Sequence, residues 1–353
     1  MTLPVSKTLG DIGERGLLRH IRERVPGGPG VVVGPGDDAA AVELAPLALL
    51  TTDSLVEGVH FRRDQAPPRL LGRKALTVNL SDVAAMGGLA RFATVSLCLP
   101  ADLSLAWVDS LYDGLLERGA ESGVALVGGN VTRGHEAIVV DVTLVGEAGR
   151  LLLRRGAQAG DRVVVTGTLG AAAEGVRLLA EGARLDEDGE LCATGVWTES
   201  SSAALLACLR AQLDPRPPLA LARSIAERGL ARAGMDLSDG LSLDLVEICS
   251  ASGVGAVLDG ALLPVDPKAA GIERARGGDV LSLALHGGED YELLLAVAPD
   301  ALEDLGDLAR VWGVDVTAIG EFVEGEPAVR LRDAAGARPL PARGHDHFRT
   351  GPA

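Results

Sequence analysis

The chain is expected to be a two-domain α/β protein, for three reasons. Its 353 residues are enough for two separate hydrophobic cores. Apolar runs of strand length alternate with longer stretches of helical periodicity along the whole sequence. A Gly- and Arg-rich stretch at 146–160 separates two halves, which places the domains at 1–147 and 148–353.

Helical spacing covers 17–25 and stops at Pro26-Gly27-Gly28-Pro29-Gly30, a connection built from chain breakers. Apolar runs at 31–33 and 47–50 read as strands. The first leads into Gly36-Asp37-Asp38-Ala39, and the second ends at Thr51-Thr52-Asp53. At 67–86, Leu70, Leu71, Lys74, Ala75, Val78 and Asp82 recur every three or four residues, which predicts a helix with Asn79 and Asp82 on one face. A strand at 92–99, a helix at 103–122 and a short strand at 124–127 follow, with Gly128-Gly129-Asn130 as the turn after the last of these. A further strand at 138–145 ends the first half. The strands at 92–99 and 138–145 are apolar enough to need cover on both faces, which predicts a homodimer through this half.

The second half reads as a strand at 162–166, a helix at 169–181 and a polar loop at 184–202. A helix at 239–251 follows, with Ser238 and Asp239 as capping types. Gly287-Gly288-Glu289-Asp290 leads into a strand at 291–297, then a helix at 301–311 and a β-rich end.

Composition narrows the function. A hydrophobic content of 47% with 23% charged residues suits a folded soluble chain, and no apolar window is long enough to span a bilayer. A formal charge of −16 opposes binding to nucleic acid or anionic membrane. The start of the chain has no apolar signal core, and the four cysteines show no C-x-x-C spacing. Buried, reduced thiols in a cytoplasmic protein are expected. The P-loop pattern, G-x-G-x-x-G after a strand, and the H-R-D and D-F-G motifs are all absent, so any nucleotide must be held by another device.

Oxygen ligation is the device available. Asp38, Asp53, Asp82, Asp236 and Asp239 are hard donors suited to magnesium, which keeps waters and bridges substrate phosphates. Each also has an ordinary reading: Asp38 in a turn, Asp53 at a strand end, Asp82 at a helix end, Asp239 as a helix cap. Their recurrence beside apolar segments favours ligands. No Cys/His pairing suggests zinc, and no serine elbow or Cys–His pair suggests a nucleophile.

Taken together, the motifs resemble the thiamine-monophosphate kinase family. The resemblance rests on Gly36-Asp37-Asp38-Ala39, the run Thr51-Thr52-Asp53-Ser54-Leu55-Val56-Glu57-Gly58-Val59-His60-Phe61, and Asn79-Leu80-Ser81-Asp82. Asp236-Leu237-Ser238-Asp239-Gly240, Gly287-Gly288-Glu289-Asp290-Tyr291-Glu292-Leu293 and Gly344-His345-Asp346-His347-Phe348 continue it in order along the chain. It implies an N-terminal mixed-sheet half that pairs into a dimeric β-barrel and a C-terminal α/β domain that closes the active site. It also implies ATP as co-substrate, several Mg2+ ions, and phosphorylation of thiamine monophosphate to thiamine diphosphate.

Carried over by position, the resemblance makes Asp38, Thr51, Thr52, Asp53, Asp82, Asn130, Asp236 and Asp239 metal ligands. Gly129, Asn130, Arg154 and Ser238 would contact ATP, and His60, Glu289 and Phe348 would line the acceptor site. One position departs: the family's Gly-Gly-Asp is Gly128-Gly129-Asn130 here. Two other readings stay open, a related ATP-dependent synthetase and a nucleotide-binding homologue without turnover. Against a selenophosphate synthetase, the chain lacks a reactive N-terminal Cys.

Overall fold

The opening helix, α1 (Leu9–Arg24), begins well before its apolar spacing suggests, because Asp11 accepts the Thr8 N–H at 2.8 Å and secures the first turn. A computed structural model describes residues 8–33, 41–45, 47–334 and 336–344. Its residues sort into two units. One holds Met1–Val83, Leu89–Ala148 and Leu185–Glu190, and the other holds Ala84–Gly88, Gly149–Arg184 and Leu191–Ala353.

In the first unit, β1 (Val31–Val33) and β2 (Ala41–Val42) pair antiparallel. Then come β3 (Ala48–Val56), α2 (Pro68–Ala85), β4 (Leu89–Leu99), α3 (Leu105–Ser122), β5 (Ala125–Arg133) and β6 (Val139–Glu147). The main sheet runs β3-β6-β4-β5, with β4 and β5 parallel and the other neighbours antiparallel. Residues 70–81 of α2 are all buried, so the helix is enclosed on every side and not only along its apolar stripe. Ser104 caps α3, its hydroxyl accepting the Trp107 N–H at 3.2 Å, and Gly123 ends the helix at φ +74°.

Two expectations change here. The strands at 92–99 and 138–145 are not apolar throughout on both faces: Val140, Val142 and Leu144 are fully buried, whereas the other, half-buried face mixes Asp141, Thr143, Thr94 and Ser96 with Val139 and Val145. Gly128-Gly129-Asn130 is no turn but lies inside β5, paired with β4. The glycine is required by proximity, since a Cβ on Gly129 would stand 2.0 Å from the Val95 carbonyl oxygen.

The second unit contains β7 (Arg162–Thr166), α4 (Ala171–Ala180), all of β8 (Ala183–Leu185) but its last residue, β9 (Leu191–Thr194), α5 (Ser202–Leu213), α6 (Leu219–Arg228) and β10 (Ala233–Asp236). After these come α7 (Leu241–Ser252), β11 (Gly255–Asp259), α8 (Pro267–Arg276), α9 (Val280–His286), β12 (Leu293–Val297), α10 (Leu302–Trp312), β13 (Val316–Val323), β14 (Val329–Asp333) and β15 (Gly336–Pro339). Seven strands form one mixed sheet, in the order β10-β12-β7-β13-β11-β14-β15. Along β7, Val163 and Val165 enter a core shared with Leu245, Ile248 and Phe322, while Val164 enters a second core with Leu221, Ile225 and Leu308. Both faces of the sheet are therefore buried, which explains the unbroken apolar run. The expected loop at 184–202 contains a short hairpin, β8–β9, too brief to leave a period in the sequence.

Among the described residues, no helix is long and apolar enough to cross a membrane. The four cysteines are free, but only Cys208 and Cys249 are buried. Cys98 is half-buried and Cys192 exposed, which corrects the expectation that all four are interior.

Candidate active site

The sequence places Thr51-Thr52-Asp53 at a strand end, but β3 runs on to Val56, so the three lie inside the strand and alternation sorts their side chains. Thr51 and Asp53 point to the same face as the buried Leu55, and there the Thr51 hydroxyl donates to Asp82 Oδ2 on α2 at 2.5 Å. Thr52 points to the opposite face, its Oγ1 3.1 Å from the Val142 carbonyl oxygen and 3.4 Å from Asp141 Oδ1. Beyond the strand, the Val56 N–H donates to His60 Nδ1 at 2.9 Å, which puts the proton of the neutral ring on Nε2. The turn carrying His60 is braced by a 2.6 Å ion pair between Arg63 and Glu57, and the Arg63 guanidinium holds the Glu57 carboxyl below its usual range.

Asn79, expected beside Asp82, is fully buried, and its side-chain N–H donates to the Ala75 carbonyl at 3.1 Å, so it serves the helix. Asn130 is exposed on β5 and lies in one cross-strand row with Ser96, Asp141 and Ser54. That row puts it three strands from β3, roughly 14 Å at normal spacing, on the face of Thr52 and not that of Asp53. A single chain thus brings Thr51 and Asp82 together and leaves Asn130 apart from them.

In the second unit, Asp236 ends β10 and is buried. The segment after it is sewn to the Gly-Gly-Glu-Asp loop: the Glu289 N–H donates to the Ser238 carbonyl, the Tyr291 N–H to the Leu237 carbonyl, and the Leu237 N–H to the Glu292 carbonyl, each at 2.8 Å. Ser238, Asp239 and Glu289 are thereby placed side by side. Glu289 and Tyr291 sit at φ +66° and +52°, a backbone region that non-glycine residues seldom occupy. Asp290 takes the Gly170 N–H at 3.0 Å and caps α4, so its role is structural. The expected capping of α7 by Ser238 or Asp239 does not occur. Gly240 holds that position, and the Asp244 carboxylate accepts the N–H groups of Asp239 (3.2 Å) and Gly240 (3.1 Å) from within the first turn. Arg154 is exposed, 4.0 Å from Glu247.

Asp38 and Phe348 lie outside the described residues. The chain does lead toward the Asp239 loop before it reaches Phe348: a Cβ on Gly344 would stand 2.4 Å from the Asp239 carbonyl oxygen, and the Ser242 hydroxyl donates to the Arg343 carbonyl at 2.7 Å. Sequence reasoning missed Asp141, Asp244 and Gln212. Asp244 had a faint signal as a carboxylate in a first helical turn. Gln212 had none, since its partner Glu289 is 77 positions away.

The donor chemistry fits a hard divalent cation. Burial, together with the negative charges of Asp239 and Asp236, pushes the Asp244 carboxyl up to about 8, and a cation is the natural complement to such crowding. Among the described residues, no three His, Cys, Asp or Glu side chains converge as a metal cage. Magnesium does not require one, because waters and substrate phosphates complete its shell.

Residues 36–148 match the family model of the AIR synthase related protein N-terminal domain, and 158–332 match that of the C-terminal domain. A thiamine-monophosphate kinase from Synechococcus elongatus is 36% identical over 98% of this chain and 99% of its own length. The crystal structure of the thiamine-monophosphate kinase of Stenotrophomonas maltophilia K279a superposes with a TM-score of 0.77 at 34% identity, covering 91% of this chain and 96% of that one. A solved structure of AaThiL complexed with AMPPCP and TMP covers 99% of this chain and 100% of its own, at 32% identity and a TM-score of 0.74. With sequence and fold alike over nearly its full length, the chain belongs to the thiamine-monophosphate kinase family.

Proposed function

We propose that this chain transfers the γ-phosphoryl group of ATP to thiamine monophosphate and releases thiamine diphosphate and ADP. The observation that carries the reading is the end-to-end likeness to a family member whose structure is described with AMPPCP and TMP. The acceptor is a phosphate monoester, already largely ionised at neutral pH because the second pKa of such groups is about 6. No side chain therefore has to remove a proton. The difficulty is bringing two polyanions together in line.

Asp38, Thr51, Thr52, Asp53, Asp82, Asp236 and Asp239 would hold magnesium, and Asn130 would add a carbonyl oxygen. Magnesium, when bound, offsets the phosphate charges and favours in-line transfer. Arg154 and Ser238, with Gly129 and Asn130, would hold the nucleotide. Glu289 supplies negative charge toward the cationic acceptor, His60 offers Nε2–H, and Phe348 supplies a flat face for a ring. A cytoplasmic homodimer belongs to the same reading. The outer strands β3 and β5 are the edges a second copy would meet. If β3 borders β5 of that copy, the partner's Asn130 comes to β3 beside Thr52.

Coupled ADP production, measured with and without thiamine monophosphate and with thiamine diphosphate assayed directly, tests the proposal. Turnover that depends on thiamine monophosphate is expected. Tight ATP binding without turnover would leave a nucleotide-binding module, and turnover only with a carboxamide or similar acceptor would leave a synthetase.

A further inference from the structure

Gln212 lies in the last turn of α5 and is 4% exposed. Its Nε2 donates to Glu289 Oε2 at 2.6 Å. Its Oε1 is buried and finds no hydrogen-bond partner among the described residues. A buried amide with an orphaned acceptor is a poor choice for stability, since leucine would fill similar space without stranding a polar atom. The one interaction that accounts for an amide here is the bond to Glu289. That residue is already constrained by φ +66° and by its N–H bond to the Ser238 carbonyl, so the side-chain bond fixes the remaining freedom of its carboxylate.

We infer that Gln212 is a positioning residue for acceptor recognition, holding the Glu289 carboxylate in the orientation that meets the cationic part of the acceptor. The inference rests on the acceptor role proposed for Glu289. Its physical basis is preorganisation: a glutamate fixed before binding gives up no rotamer freedom when the ligand arrives. The one side-chain hydrogen bond of Gln212 among the described residues goes to Glu289, so its influence should fall mainly on the acceptor.

The test is steady-state kinetics on the full chain with ATP and thiamine monophosphate. Gln212→Leu should raise the KM for thiamine monophosphate about tenfold while the KM for ATP stays within about twofold. In a Glu289→Gln background, the further loss from Gln212→Leu should shrink to under about twofold, because the group it orients no longer has its charge. If Gln212→Leu fails to fold by thermal melt, Gln212→Asn makes the same test, keeping the amide but withdrawing it by one methylene. Equal effects on both KM values, a fully additive double variant, or an unchanged KM for thiamine monophosphate would overturn the inference. A wild-type chain without thiamine monophosphate-dependent turnover would overturn the proposed function itself. That result is distinct, because no KM could then be compared.

Discussion

Thr51 on β3 and Asp82 on α2 are joined by a 2.5 Å hydrogen bond in which the threonine hydroxyl donates to the carboxylate. The bond links the middle of a strand to the last turns of a helix whose residues 70–81 are all buried, so the orientation of Asp82 is set by the fold and not by solvent. A carboxylate fixed in this way, on the face that also carries Asp53, is suited to accept a cation without first reorganising.

Asp53→Asn and Asp82→Asn are each expected to cut turnover about a hundredfold or more, with thermal melting nearly unchanged, since both charges face the half-buried rim and not the core. Thr51→Val keeps the Asp82 carboxylate and removes its anchor together with one oxygen donor of no charge, so a smaller loss of about tenfold is expected. Near-wild-type rates for either Asn variant at limiting magnesium would exclude that residue from the metal site.

Removal of residues 345–353 should raise the KM for thiamine monophosphate far more than that for ATP. The described chain ends at Gly344, packed against the Asp239 carbonyl, and Phe348 lies four residues beyond. An equal rise in both KM values would indicate general loss of structure.

The elements easiest to read were those whose burial is one-sided or complete. The spacing at 67–86 located α2 to within a residue or so, and the Val-rich run at 162–166 is β7 itself. The glycine pair before Asn130 was misread because glycine serves turns and tight backbone contacts alike, and only the packed neighbour, Val95, shows which. Ser238 and Asp239 have cap chemistry but not cap geometry, because Asp244, from inside the helix, already takes the N–H groups of Asp239 and Gly240. The Gln212–Glu289 pair was invisible because two distant residues leave no local pattern. The aspartates were legible because carboxylates beside apolar runs are unusual, whereas their mutual distances depend on sheet order, which no local period encodes.

Glu292 predicts a pH dependence of stability. Burial raises its carboxyl to about 7, against a lowering contribution from the Thr166 hydroxyl that donates to it. The folded chain therefore holds this proton across a range where the unfolded chain has lost it. The contribution of Glu292 to stability is fully present below the usual glutamate range and is lost as pH rises through about 7. The melting temperature of the wild type should drop by a few degrees between pH 5.5 and 8, and Glu292→Gln should shrink that drop, the remainder belonging to groups such as Asp244, whose carboxyl burial likewise raises. Parallel curves for the two proteins would assign the pH dependence to other groups.

Asn130 offers the sharpest test of the metal reading. An amide presents one carbonyl oxygen and no charge, where the family's aspartate presents a carboxylate. Within one chain it also stands three strands from β3, on the face of Thr52. If it ligates at all, it does so weakly, and the enzyme needs more free magnesium than a Gly-Gly-Asp relative. Asn130→Asp should then lower the magnesium half-saturation point by about tenfold, the equivalent of ~1.4 kcal/mol, with little change in the KM for thiamine monophosphate. Because the residue is exposed on a strand edge, the substitution should leave folding intact. A magnesium titration of both proteins at saturating substrates decides the matter. An unchanged or higher half-saturation point in the variant would reduce Asn130 to an ordinary strand residue and leave the charge to the remaining aspartates.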